Sequence, residues 1–141
     1  MAVKQLSVFI ENQQGKLVEI MDALATNDIS IRAISVADTT EFGILRLIVN
    51  RPNRAERVLK EHGFAASLTE VIGICVEDRP GTLRDALRIL SDAKISVEYV
   101  YAFLNKQVNI AYIILRVEDN DTAQTALKAG GVRVLEGEDI D

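Results

Sequence analysis

The sequence predicts an α+β protein built from two tandem copies of one βαββαβ unit, each with an antiparallel sheet. Three observations carry that expectation. The chain matches itself at an offset of 66 residues: Gly15 falls on Gly81, Glu11 on Glu77, Leu17 on Leu83, Leu24 on Leu90 and Ile29-Ser30 on Ile95-Ser96. Within each copy, short β-branched runs alternate with stretches whose apolar residues recur at helical spacing. No Pro/Gly/Ser-rich spacer interrupts "FAASLTEVIGICVED", where one copy passes into the next.

The elements of the first copy follow in order. "KQLSVFIE" is rich in Val, Ile and Phe and reads as a strand. "GKLVEIMDALATND" puts Leu17, Ile20, Met21 and Leu24 on one helical stripe. "ISIRAISVAD" and "FGILRLIVN" are two further strands. "PNRAERVLKEHG" opens with Pro52 near a first helical turn and stops at Gly63. "FAASLTEV" begins the last strand. The second copy repeats the order from "VIGICVE" through "VRVLEG". There "LKEHGF" meets "LKAGGV" at an offset of 68, which places a two-residue insertion in the loop around "NKQVN", 105–109. A βαββαβ order with four antiparallel strands and both helices on one face is the ferredoxin-like arrangement. The expected domains are 1–69 and 70–141. A unit of that size is only marginally stable alone, so pairing of units or chains is expected to cover the open sheet faces.

Composition narrows the class. The 141 residues are 48% hydrophobic and 26% charged, as in ordinary globular proteins. No stretch approaches the roughly 20 apolar residues of a membrane span. The apolar run in "MAVKQLSVFIENQ" is too short for a signal peptide, and Cys75 has no internal disulfide partner; both point to the cytoplasm. A net charge of −5 and a pI of about 4.9 argue against nucleic acid, whose phosphates call for Lys and Arg clusters. The acidic "EGEDID" reads as a solvated terminus.

The chemistry sits in "ENQQGKL" and "EDRPGTL", where a strand gives way to a helix in each copy. A helix start offers unpaired N–H groups and a partial positive charge. Gly15 and Gly81 let a ligand approach the backbone. Pro80 gives up an N–H and fixes φ near the helical value. Thr82 and Asn12 bring short polar side chains. Such a turn can hold a carboxylate on main-chain donors. The same features also describe a plain strand-to-helix corner with good capping.

"VEDRPGTLRDALRILSDAKISVEYV", 76–100, resembles the opening half of an ACT domain, and "IENQQGKLVEIMDALATNDISIRAISV", 10–36, is a weaker copy without the Arg-Pro pair. The resemblance covers essentially the whole chain. It implies an amino-acid-binding regulatory module in which the ligand sits between paired modules. It further implies that the turn supplies main-chain contacts, and that polar residues before the turn and at the start of strand two add side-chain contacts. Carried over, the ligand-binding residues are Asn12, Gln13, Gln14, Gly15, Lys16, Leu17, Ser30 and Ile31 in the first copy. In the second they are Asp78, Arg79, Pro80, Gly81, Thr82, Leu83, Ser96 and Val97. Many ACT domains carry Asn at the strand-two position, where this chain has the shorter Ser. Asn12 can serve either end of an amino acid, whereas ionised Asp78 only accepts. The carboxylate is therefore expected nearer the 12–17 turn.

Other features read more plainly. Tyr99, Tyr101 and Phe103 alternate along one strand and are expected on the open face, at an interface rather than on RNA. His62 suits a helix C-terminus, and Cys75 reads as a small buried hydrophobe. No P-loop, GxGxxG, paired acid/base carboxylates or metal set is legible, so no catalytic residue, metal or cofactor is expected. The expected function is a non-catalytic, cytoplasmic amino-acid-binding regulator, a homodimer that signals through an unidentified effector protein. The alternatives are an assembly subunit without ligand and the detached regulatory subunit of an amino-acid biosynthetic enzyme.

Overall fold

The computed structural model describes residues 3–11, 13–38, 42–105 and 107–139, without the side chains of Asp38, Asn105 and Glu138. The elements run β1 (Val3–Glu11), α1 (Lys16–Thr26), β2 (Ile31–Asp38), β3 (Phe42–Val49), α2 (Pro52–Glu61) and β4 (Ala65–Glu77). They continue with α3 (Thr82–Asp92), β5 (Tyr99–Asn105), β6 (Ile110–Arg116), α4 (Asn120–Ala129) and β7 (Arg133–Leu135), followed by a 3₁₀ turn, Gly137–Asp139. One compact unit spans Lys4–Glu70; the other spans Val71–Asp139 and includes Val3. The boundary falls inside β4, a single strand of 13 residues.

The first unit has strand order β2-β3-β1-β4, with β3 antiparallel to both its neighbours. The second has the order β7-β4-β6-β5, again antiparallel. Element for element these are the same sheet. Both are βαββαβ units, as the period analysis predicts.

Strand alternation sets each core. Leu6, Val8 and Ile10 of β1 and Leu45, Leu47 and Val49 of β3 face Ile20, Ala23 and Leu24 of α1 and Ala55, Val58 and Leu59 of α2. The second core joins Ile72 and Ile74 of β4 and Ile113 and Leu115 of β6 to Ala86 and Leu90 of α3 and Ala123 and Leu127 of α4. Each fully buried Leu or Ile contributes about 1.5–3 kcal/mol from apolar burial.

Local chemistry ends the helices where the sequence says it should. Pro52 stands at the first turn of α2, and Gly63, with φ +85°, follows that helix. Asp28 and Lys94, at φ 58° and 60°, turn the chain out of α1 and α3. The N–H groups of Ile29 and Ile95 then reach back to Leu24 and Leu90 carbonyls at 3.0 and 2.9 Å.

The insertion lies in the hairpin of the second unit. Asp38 pairs with Gly43, and Leu104 with Ala111, so the offset passes from 66 to 68 across that turn. A bulge between Ile31 and Ala33 switches faces at the start of β2. At the matching place in the second unit β5 starts only at Tyr99, leaving Ser96 and Val97 ahead of the strand.

Candidate functional site

The two strand-to-helix turns have the same backbone. Gln13 and Arg79 N–H groups donate to Glu11 and Glu77 carbonyls at 2.7 and 3.0 Å. Lys16 and Thr82 N–H groups donate to Gln13 and Arg79 carbonyls at 3.3 and 3.4 Å, and Glu19 and Asp85 to Gly15 and Gly81 at 3.0 Å each. Gly15 (φ 87°, ψ −9°) and Gly81 (φ 93°, ψ −13°) occupy the third position of these turns, the geometry of a type II turn. Pro80 stands at the second turn position, two residues before α3 begins. Its fixed φ suits that place, and Gly81 takes the positive φ that follows.

Helix starts leave donors over. No acceptor among the described residues takes the N–H of Gly15, Leu17 or Val18, or of Gly81, Leu83 or Arg84. Asn12 lies outside the described residues. Gln13, Gln14, Gly15 and Leu17 are exposed, and Lys16, half-buried, meets Glu19 at 3.7 Å. In the second turn the side chains bond inward. The Thr82 hydroxyl is shared between the carbonyls of Glu77 (2.7 Å) and Arg79 (3.0 Å). Arg79 Nε donates to Glu77 Oε2 at 2.6 Å, and that bond, with the charge of the same carboxylate, raises the Arg79 pKa above its usual value. Asp78 is exposed and its N–H donates to the Asn109 carbonyl at 2.9 Å. Leu83 packs partly against the second core.

The strand-two positions differ between units. Ser30 is held by Asn50: its N–H donates to Asn50 Oδ1 at 2.9 Å, and Asn50 N–H donates to the Ser30 carbonyl at 3.2 Å. Arg32 Nη1 donates to Ser30 Oγ at 3.1 Å. Glu98 stands where the first unit has Arg32 and pairs with Arg116 at 3.4 Å. Ser96 is exposed, and Ile31 and Val97 lean on their own cores. Arg32, Asn50, Glu98 and Arg116 were not among the residues expected from sequence. The reversal of charge from Arg32 to Glu98 at one offset is the signal that marks them.

Each turn is far from its own serine. Glu11 pairs with Phe42 and Ile31 with Val49, at opposite ends of β3. Seven steps along the strand are about 23 Å. In the second unit Glu77 pairs with Ile110 and Tyr99 with Arg116, about 20 Å apart on the same measure. Neither unit brings its own turn and serine together.

One pocket of about 310 Å³ lies within the first unit. Phe9, Phe42 and Phe64 line it with Glu11, Lys16 and His62, and the sequence reading missed it. His62 Nδ1 lies 2.8 Å from the Val58 carbonyl, which only accepts, so this nitrogen carries the proton. On β5, Tyr99, Tyr101 and Phe103 pair with Arg116, Ile114 and Tyr112, on the face away from the helices. Tyr99 stacks on Tyr101 (centroids 6.4 Å apart) and Phe103 on Tyr112 (5.0 Å). Cys75, opposite Tyr112 and Arg133, is on that same face and half-buried; it is not a core residue as expected, because the core side of β4 belongs to Ile72 and Ile74. No group of three His, Cys, Asp or Glu side chains comes together as a metal set among the described residues. Nor is any helix among them long and apolar enough to cross a membrane.

Residues 1–140 match the family described as "ACT domain pair". No curated protein matches the chain. Among solved structures, protein BT0572 from Bacteroides thetaiotaomicron is 38% identical, with a TM-score of 0.94 over 99% of this chain and 96% of that one. The ligand-free regulatory subunit of aspartate kinase from Thermus thermophilus is 17% identical, with a TM-score of 0.68 over 92% of this chain and 91% of that one. The regulatory subunit of aspartate kinase from Thermus flavus is 14% identical, with a TM-score of 0.64 over 93% and 94%. These last two likenesses are of fold. A family match along nearly the whole length, over two repeated βαββαβ units with twin glycine turns, leads to one conclusion: the chain belongs to the ACT domain pairs.

Proposed function

We propose that this ACT domain pair is a non-catalytic regulator that binds a free amino acid between modules and passes its state to a partner protein. The modules are 1–69 and 70–141, and the setting is cytoplasmic. The observation that carries the reading is the separation of turn from serine within each unit. A site that uses both must take its turn from one module and its serine from another. Binding then changes how modules pair, which is what a regulator needs.

The carboxylate belongs nearer the 12–17 turn. The first unit brings Lys16 beside the spare N–H groups of its turn and Arg32 beside its serine, whereas Arg79 and Arg116 of the second unit are each bonded to a glutamate. Lys16 does meet Glu19, but an exposed pair at 3.7 Å contributes little and yields easily to a ligand.

A homodimer fits the outer strands. Ile34 and Val36 on β2 are each 49% exposed, and Val100 and Leu104 on β5 are 42% and 53% exposed. Apolar side chains along edge strands mark surfaces that another chain covers. A thermal-shift screen against the twenty amino acids tests the function. A ligand at 100 times its Kd adds about 2.7 kcal/mol to stability. One amino acid is expected to raise the melting temperature; no shift with any of them overturns the reading.

A further inference from the structure

Four cations of the first unit stand together and serve no contact of the fold. Arg51, Arg54 and Arg57 lie along α2, all exposed, and the side chain of none bonds or pairs with a described residue. Lys4, at the start of β1, reaches Asn53 Oδ1 at 3.4 Å, so its charge stands beside the first turn of the same helix. Residues three and four apart on a helix are neighbours, which sets Arg54 beside both Arg51 and Arg57, and Asn53 next to Arg57. Glu56, the acid between the last two arginines, is taken by Lys60 at 3.5 Å.

This arrangement works against α2. A helix start carries a partial positive charge, which favours acids and disfavours cations. Arg51 holds the cap position without a side-chain bond, and no acid stands in the first turn. The second unit is an internal control. At offsets of 66 and 68, Lys4, Arg51, Arg54 and Arg57 correspond to Glu70, Asp119, Thr122 and Thr125. There Asp119 caps α4 on Thr122, and Asp121 stands in the first turn. The backbone matches at the two caps: the Ala55 N–H donates to the Arg51 carbonyl at 2.9 Å, and the Ala123 N–H to the Asp119 carbonyl at 3.2 Å. The turn therefore does not require the cations. A local rule broken with no gain inside the fold marks a surface that serves something outside it.

Exposed guanidinium groups take carboxylates or phosphates through paired N–H donors. These stand on the outer surface of a helix, which suits an extended segment better than a small anion. From Arg51 to Arg57 the helix rises about 9 Å, the reach of about three extended residues. A nucleic acid is charged along its whole length and would run past this helix over a chain with 21 Asp and Glu against 16 Lys and Arg. A short acidic protein segment meets the four cations alone.

We propose that the outer face of α2, with Arg51, Arg54 and Arg57 beside Lys4, docks an acidic segment of the partner protein. The partner is the one in the function proposed above, and this surface rests on that reading; it shares no residue with the amino-acid site. Asn50, which holds Ser30 by two hydrogen bonds, immediately precedes Arg51, so one residue joins the docking face to the serine corner.

Calorimetry of the full chain at physiological ionic strength tests it, with hexa-glutamate as the probe, hexa-glutamine as its neutral counterpart and a short DNA duplex as a phosphate polyanion. Hexa-glutamate is expected to bind at least tenfold more tightly than either. Arg54→Gln with Arg57→Gln is expected to weaken that binding at least tenfold. Arg88→Gln with Lys94→Gln, exposed cations of the second unit, is expected to leave it unchanged. Arg51→Asp is expected to weaken binding while raising the melting temperature, because it supplies the cap that Asp119 gives α4. Loss of binding in that variant is then not loss of fold. Equal binding of hexa-glutamate and hexa-glutamine overturns the proposal, as does tighter binding of the duplex, wild-type affinity in Arg51→Asp, or equal losses in the two double variants. An amino acid that raises the melting temperature while hexa-glutamate fails to bind removes the docking face and leaves the amino-acid regulator standing.

Discussion

Gly15 and Gly81 hold the same left-handed backbone, φ 87° and 93°, each at the cap of the first helix of its unit. An alanine Cβ at position 15 would meet nothing within 4 Å; at position 81 it would meet only the flexible end of Arg84, at 3.0 Å. The cost of substitution is therefore conformational. Gly15→Ala and Gly81→Ala are each expected to lower stability by about 1–2 kcal/mol, the penalty of the left-handed region for a residue with Cβ. Urea denaturation measures it, and the two values should agree closely.

Asp119 caps α4, accepting from the Thr122 N–H at 3.1 Å and the Thr122 hydroxyl at 2.7 Å. These bonds, the hydroxyl's first, hold its pKa below the ordinary 3.8. A lowered folded-state pKa means that the stabilisation is complete above the unfolded value and lost as pH falls through the folded one. Asp119→Ala should therefore melt at lower temperature than wild type at neutral pH. The gap should close only below about pH 4, as carboxylates with an ordinary pKa protonate and Asp119 follows. Thermal melts from pH 7 to pH 2 check the trend.

The apolar side chains of the outer strands make the assembly testable. Ile34→Asp and Val100→Asp place a charge on each edge at positions that are themselves largely exposed. Wild type is expected to sediment as a dimer at micromolar concentration, and the double variant as a monomer with a far-UV spectrum like wild type.

Most of the fold was legible because duplication writes every signal twice. The offset of 66 aligned both turns, and the change to 68 located the hairpin insertion that the strand register shows. What escaped was tertiary. The Pro-Gly pair is visible in the sequence, but the type II turn it forms shows only in the Thr82-to-Arg79 hydrogen bond and the positive φ of Gly81. Ser30 was visible as a polar residue at a strand start, but its partner Asn50 is twenty positions away. The three phenylalanines of the pocket come from β1, β3 and the corner before β4, so no local pattern joins them. Nor does a list of site residues reveal that each turn and its serine stand at opposite ends of one sheet. That follows from the strand register.

A site shared between modules predicts that residues remote from each other in one unit act on the same ligand. Asn12 and Ser30 provide the test. The measurement is the calorimetric affinity, for whichever amino acid gives the largest thermal shift, of wild type, Asn12→Ala and Ser30→Ala. Each variant is expected to lose about 1–3 kcal/mol, the range for a polar contact left without its partner. Unchanged affinity in both variants, with the amino acid still bound, would contradict a site shared between modules.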